Sequence, residues 1–139
     1  MDQDTVNLIR ESWAKAAAAH VDTARLFYGK LFKIAPDTRA LFKNDLAQQG
    51  RKLIVTLSFI IDHLADLDTL VPAAQDLAIR HLSYDVKSEH YSAVGESLVW
   101  TLRQLLGADF DAATEKAWVD VLGVLEGVMI EAAYPEKTR

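Results

Sequence analysis

An all-α fold, a single domain of about six to eight helices, is what this sequence predicts. Three observations carry that expectation. Apolar residues recur at the helical period along nearly the whole chain, and no apolar/polar alternation is convincing enough for a strand. Only three prolines and six glycines interrupt 139 residues. Half the residues are apolar and a quarter charged, the ordinary balance of a chain that buries a core. A chain of this length suits one domain, so residues 1–139 read as one unit, with a tail expected to fray from Pro135 onward.

Val6, Ile9, Trp13 and Ala16 mark a first amphipathic helix, with Asp4 or Thr5 as its expected cap. Ala24, Phe27, Tyr28, Leu31 and Phe32 mark a second, which should stop before Pro36 because proline disfavours helix at the preceding residue. Pro36 can then open a short helical turn through Leu41 and Phe42, with a corner over Asn44 to Ala47. A third long helix is expected from about Gln48 to Ala65, its buried stripe formed by Leu53, Ile54, Leu57, Ile60, Ile61 and Leu64. After a turn at 66–68, Thr69 to Leu82 reads as a shorter helix with Pro72 in its first turn. Ser83 to Lys87 should break it. Ser88 can cap the next helix, which carries Val94, Leu98, Thr101, Leu102 and Leu105 and which Gly107 should end. Asp109 or Asp111 starts the last helix, burying Trp118, Val121, Leu122, Leu125, Val128 and Met129.

Several function classes fall away at once. With no cysteine, disulfides, thiolate metal sites, iron–sulfur clusters, a cysteine nucleophile and covalent haem attachment are excluded. Fifteen Lys and Arg against twenty Asp and Glu give a net charge of −5 with no dense basic run, so neither nucleic acid nor an anionic membrane is an expected partner. The acidic start, Met1-Asp2-Gln3-Asp4, has no apolar run behind it, and Leu53 to Ile61 is too short and too interrupted to span a bilayer. A cytoplasmic protein is the expectation.

Chemistry must come from particular residues. Of the four histidines, each taken alone reads first as a surface or partly buried residue with no ligand role. His81 has the most suggestive setting. It follows Leu77 and Ala78 by one helical turn, so it shares their apolar face, and a buried imidazole needs partners for its nitrogens. Iron is one such partner. His63 lies 14 residues beyond Gln49 at a similar angular phase, which along a helix is roughly 21 Å, too far to serve the same site. His20 ends an alanine run and should face solvent. His90 stands beside Tyr91 as a structural neighbour. Tyr28, Phe42, Gln49 and Leu53 form a second set, with Gln49 and Leu53 on one helix face. On spacing alone, a hydroxyl reaching the surface and an amide near a helix end is the better reading of Tyr28 and Gln49.

The ordered run Leu26-Phe27-Tyr28, Pro36, Leu41-Phe42-Lys43-Asn44, Gln49-Gly50-Arg51-Lys52-Leu53, Leu77-Ala78-Ile79-Arg80-His81, Val86 and Glu89-His90-Tyr91-Ser92-Ala93-Val94-Gly95 resembles the bacterial single-domain haemoglobins and the globin domains of flavohaemoglobins. Ala117-Trp118-x-x-Val121-x-Gly123 fits that family's last helix, and the resemblance runs from Leu8 to about Ala133. It implies a globin fold around a pocket for non-covalently held haem b. His81 then resembles the proximal iron ligand, and Phe42 the phenylalanine that stacks on the porphyrin. Tyr28, Gln49 and Leu53 resemble the distal pocket. Leu77, Val86, Val94 and Met129 resemble apolar haem contacts. Lys52 and Arg80 can reach the haem propionates or stand as solvated charges, and the two readings are level. Tyr91 resembles the tyrosine of the family's proximal network.

The carboxylate of that network is where this chain departs from the family. Its aligned position is Ala133; Glu131 falls on nearly the opposite helical face, and Glu126 lies seven residues back, about 10 Å along the helix. A missing negative partner makes the imidazole a weaker electron donor and argues against peroxidase-like chemistry. The resemblance implies reversible O2 binding, with CO and NO as further ligands, and no catalytic residue is assigned. Tyrosine can donate one hydrogen bond and glutamine two to a ligand oxygen of partial negative charge. Nitric oxide dioxygenation is the alternative; no flavin or nicotinamide segment follows the globin helices, so it calls for an external reductase. A gas-sensing or haem-free interaction module is the third reading.

Overall fold

The computed structural model describes residues 2–42, 45–82 and 87–134, with Leu82 described by its backbone alone. The elements are α1 (Gln3–Ala18), α2 (His20–Ile34), a 3-10 turn (Pro36–Leu41), α3 (Leu46–Asp62), α4 (Leu67–Leu82), α5 (Ser88–Leu106), a second short 3-10 turn (Gly107–Asp109) and α6 (Ala112–Ala133). No strand occurs among the described residues. The expected Val86, the break over 83–86, Lys43, Asn44 and the tail from Pro135 lie outside them.

Local chemistry sets the boundaries, in places differently from the expectation. Asp2, rather than Asp4 or Thr5, caps α1, its carboxylate accepting the Thr5 N–H at 2.8 Å. Asp45 caps α3 by accepting the Ala47 N–H at 3.0 Å, so that helix begins two residues before Gln48, and it ends at Asp62 rather than Ala65. Because α4 begins at Leu67, Pro72 falls in its second turn. The missing N–H there is lost at an exposed residue, where water can replace the bond. Lys87 rather than Ser88 is the cap residue of α5. Its N–H is taken by the imidazole of His90, which ties the first turn back to the cap residue. Asp111 caps α6 by accepting the Thr114 N–H at 2.8 Å. Gly107 ends α5 at φ +53°, a conformation that costs glycine little and any other residue more.

Helix α2 packs along α5 and α3, α1 against α6 and α3, and α4 along α6. The larger part of the core is drawn mainly from α1, α2, α3, α5 and α6, with Leu70 from α4, and includes Ile9, Trp13, Phe27, Leu31, Leu98, Leu102 and Trp118. The two tryptophans carry polar atoms inward and both are satisfied. Trp118 Nε1–H donates to Ser12 Oγ at 2.8 Å, and Trp13 Nε1–H to Ser58 Oγ at 2.9 Å. Ser12 Oγ passes its own proton to the Leu8 carbonyl, which completes the chain. Thr23 Oγ1 donates to the Ala16 carbonyl at 2.7 Å and ties α2 to the end of α1.

A smaller cluster stands apart. Ala74 and Ala78 of α4 pack with Met129 of α6, joined by Tyr91, Val128, Ala132 and Ala133. Leu77 and Leu125 border both clusters. The consecutive helices α3 and α4 rest chiefly on different neighbours, α3 on α1 and α2 and α4 on α6, while Leu70 carries α4 into the larger cluster. Phe42, Leu53, Leu57 and Leu77 are only half-buried.

Candidate functional site

Tyr28 lies on the inward face of α2 and is 6 % exposed. Its ring stands edge-on to Phe27 at 5.3 Å and to Phe42 at 5.0 Å, and stacks on Phe32 at 5.9 Å between centroids. Among the described residues its hydroxyl has no hydrogen-bond partner. Burial pushes its pKa up to about 12, so at neutral pH it remains a neutral donor. Phe42 follows the 3-10 turn, and its carbonyl accepts from Arg39 Nη1 at 3.3 Å, which holds the corner.

Gln49 is half-buried in the first turn of α3. Its neighbour Gly50 explains how that turn reaches Tyr28. A Cβ at Gly50 would stand 2.8 Å from Ala24 Cβ and 3.9 Å from Tyr28 Cε2. No side chain other than hydrogen allows that approach without moving a helix. The sequence-predicted trio of Tyr28, Phe42 and Gln49 is thus brought to one region, with Leu53 half-buried against the larger cluster one turn further along α3. Lys52 is exposed on the same helix.

His81 occupies the last turn of α4, half-buried. Burial lowers its pKa below the usual histidine value, and the neighbouring Arg80 charge lowers it further, so the ring is neutral. Tyr91 of α5 reaches it: the Tyr91 hydroxyl lies 3.5 Å from His81 Nδ1, with ring centroids 6.0 Å apart. Among the described residues Nε2 has no hydrogen-bond partner. Tyr91 itself has its pKa pushed up to about 12, by burial first and by Tyr134 second. Met129 and Ala133 pack in the same small cluster as Tyr91, so the position expected to carry a carboxylate contributes only a methyl group to that cluster. Arg80 is exposed and pairs with Asp76 at 3.4 Å, and Val94 is 37 % exposed on α5, one turn beyond Tyr91.

Two features escape the sequence reading. Phe32 completes an aromatic trio with Tyr28 and Phe42, centroid to centroid 5.7 Å from Phe42; its place four residues after Tyr28 was the available signal. His90 is buried and joined to Asp37 at 2.8 Å, across 53 residues of sequence, for which no local pattern gives a sign.

A haem requires a neutral imidazole with a free nitrogen, apolar surface for a flat macrocycle, and donors kept from water. A half-buried neutral His81, the incompletely covered Phe42, Leu53, Leu57 and Leu77, and a buried Tyr28 hydroxyl meet those requirements. No helix among the described residues is long and apolar enough to cross a membrane.

Comparison with known proteins agrees with this architecture. The family model described as Globin matches residues 25–129. The chain is 27 % identical over 134 residues to a flavohemoprotein of Vibrio cholerae, covering 94 % of this chain and 34 % of that protein. It is 31 % identical over 112 residues to flavohemoproteins of Bordetella parapertussis and Bordetella bronchiseptica, covering 76 % of this chain and 27 % of each. The chain thus spans about a third of the length of these relatives. All-α, with its helices in the order and packing described and with the family match spanning most of its length, the chain belongs to the globin family.

Proposed function

We propose that this globin holds a haem b without covalent links through His81 and binds O2 reversibly on the Tyr28 and Gln49 side. The observation that carries the reading is His81 itself: a neutral imidazole whose Nδ1 meets the Tyr91 hydroxyl, leaving Nε2 for a metal. The haem supplies the iron centre at which a diatomic ligand is taken up and released. The protein supplies the rest. Nδ1 carries the ring proton and donates it to Tyr91 Oη, which fixes the tautomer and orients the ring. Phe42, Leu53, Leu77, Val86, Val94 and Met129 serve as apolar contacts that exclude water, and Lys52 and Arg80 as cations within reach of the propionates. The Tyr28 hydroxyl, kept protonated by burial, donates to the ligand, with the Gln49 amide assisting.

Absorption spectra of the purified protein, oxidised, reduced and with CO, test the cofactor. One haem per chain is expected, lost in His81→Ala and restored by added imidazole. A spectrum unchanged in His81→Ala overturns the ligand assignment. Stopped-flow O2 release tests the distal side. A hydrogen bond to a charged acceptor is worth roughly 1.5–3 kcal/mol, so Tyr28→Phe should release O2 about tenfold faster or more. CO release should change much less.

Nitric oxide dioxygenation is the second reading, favoured by the similarity to flavohemoproteins. Ala133 sets it back, since that position brings no carboxylate to the small cluster that holds Tyr91. NO consumption by the reduced, oxygenated protein with a supplied reductase separates the two. A cytoplasmic, bacterial setting belongs to the same proposal.

A further inference from the structure

His90 is 5 % exposed, and both of its ring nitrogens are committed. Nδ1 accepts the Lys87 N–H at 3.0 Å. The neutral ring therefore carries its proton on Nε2, which donates to Asp37 Oδ2 at 2.8 Å. That bond is the chief reason the Asp37 carboxyl is held below its usual range, so Asp37 is ionised and the contact is charge-assisted. One partner is in the 3-10 turn that leads to Phe42; the other is in the first turn of α5, one residue before Tyr91.

We propose that the Asp37–His90 pair is a positioning device that seats the first turn of α5 so that the Tyr91 hydroxyl meets His81 Nδ1. Its functional meaning rests on the reading of His81 as the iron ligand. The physical ground is the length of the Tyr91 to His81 contact. At 3.5 Å it stands at the long limit of a hydrogen bond, so a displacement of α5 by a fraction of an ångström makes or breaks it. The backbone of that turn is held by the His90 N–H to the Lys87 carbonyl at 3.0 Å and by the imidazole on the Lys87 N–H. Those two bonds shape the turn but do not place it against the rest of the molecule. Packing on α2 and α6 places α5 as a whole, and the Asp37 carboxylate fixes its first turn by anchoring the ring to a separate element. The same anchor joins the corner bearing Phe42 to the helix bearing Tyr91, and so links the two faces of the site.

A purely capping role for His90 needs only Nδ1 and is indifferent to Asp37, which makes Asp37 the residue to change. In Asp37→Asn the side-chain oxygen still accepts from Nε2; in Asp37→Ala nothing does. Imidazole 15N and Tyr91 ring-proton resonances are read in the apo-protein, and the Fe–His stretching band and haem-transfer rate in the loaded protein. The expected result is that Asp37→Ala moves the His81 Nδ1 and Tyr91 resonances and lowers the Fe–His frequency. Haem loss should quicken roughly tenfold, the lower end of what losing an outer partner of a metal ligand costs. Asp37→Asn should recover most of each effect. The proposal is overturned if Asp37→Ala lowers the melting temperature while the His81 and Tyr91 resonances and the Fe–His band stay at their wild-type positions. If the wild-type chain takes up no haem, the iron-ligand reading fails by itself, and the apo-protein resonances alone decide whether the pair positions Tyr91.

Discussion

Tyr28 and His81 are held by different kinds of packing. Tyr28 is embedded in the larger part of the core, ringed by Phe27, Phe32 and Phe42, on a helix that packs against both α3 and α5. His81 ends a helix seated mainly on α6 through the small side chains Ala74 and Ala78 and through Met129. The first surrounding is wide and aromatic, so the Tyr28 side is fixed by the fold whether or not a cofactor is present. The second is narrow, with Tyr91 as the polar partner of His81. On the proposed function, the Tyr28 wall is preformed and the His81 helix gains most from a ligand.

Core truncations break the comparison most strongly. Trp118, 2 % exposed and hydrogen-bonded to Ser12, belongs to the larger cluster, and Trp118→Ala should cost about 3–5 kcal/mol in a urea titration of the apo-protein. Met129→Ala should cost roughly 2 kcal/mol, the low end for such a change, and should raise hydrogen exchange in α4 before it does so in α2. Equal and global effects of the two substitutions would mean that the two clusters unfold as one.

Haem loading sharpens it next. A ligand that binds only the folded state stabilises by about 2.7 kcal/mol at a free concentration one hundred times its Kd. The added exchange protection should concentrate in α4 and be smallest in α2. Uniform protection, or equal melting temperatures with and without haem, contradicts a His81 helix that depends on the cofactor.

Gly50→Ala probes the Tyr28 wall alone. Its Cβ would press on Ala24 at 2.8 Å, so α2 and α3 must separate, at a cost of about 1–3 kcal/mol. The Tyr28 ring should show changed near-ultraviolet dichroism while the His81 and Tyr91 resonances hold still.

Alkaline pH gives the smallest effect. The Tyr28 pKa is raised in the folded state, so the unfolded chain loses that proton first as pH rises past 10. Stability is therefore full below pH 10 and falls as pH climbs towards 12, by on the order of 1 kcal/mol for this residue once solvent screening is allowed for. Urea midpoints measured from pH 9 to 11.5 should decline less steeply in Tyr28→Phe than in the wild type.

Much of this was legible in the residues themselves. Helical periodicity specifies an all-α chain because burying one face of each helix requires that spacing. Pro36, Gly107 and Asp111 end or start elements through constraints that act within a few residues. The resemblance singled out His81, Tyr28, Phe42 and Gln49 by their order and spacing. The cap residues of α1 and α5 were misplaced because several polar residues compete within one turn, and the winner depends on which side chain can turn back onto the backbone. Tertiary structure alone decided how the small α4–α6 cluster joins the larger one, the meeting of Gly50 with Ala24, and the Asp37–His90 bond. Each joins residues far apart in the chain. A sequence pattern records which face of a helix is apolar, but it does not record which helix covers that face or how closely the two backbones approach.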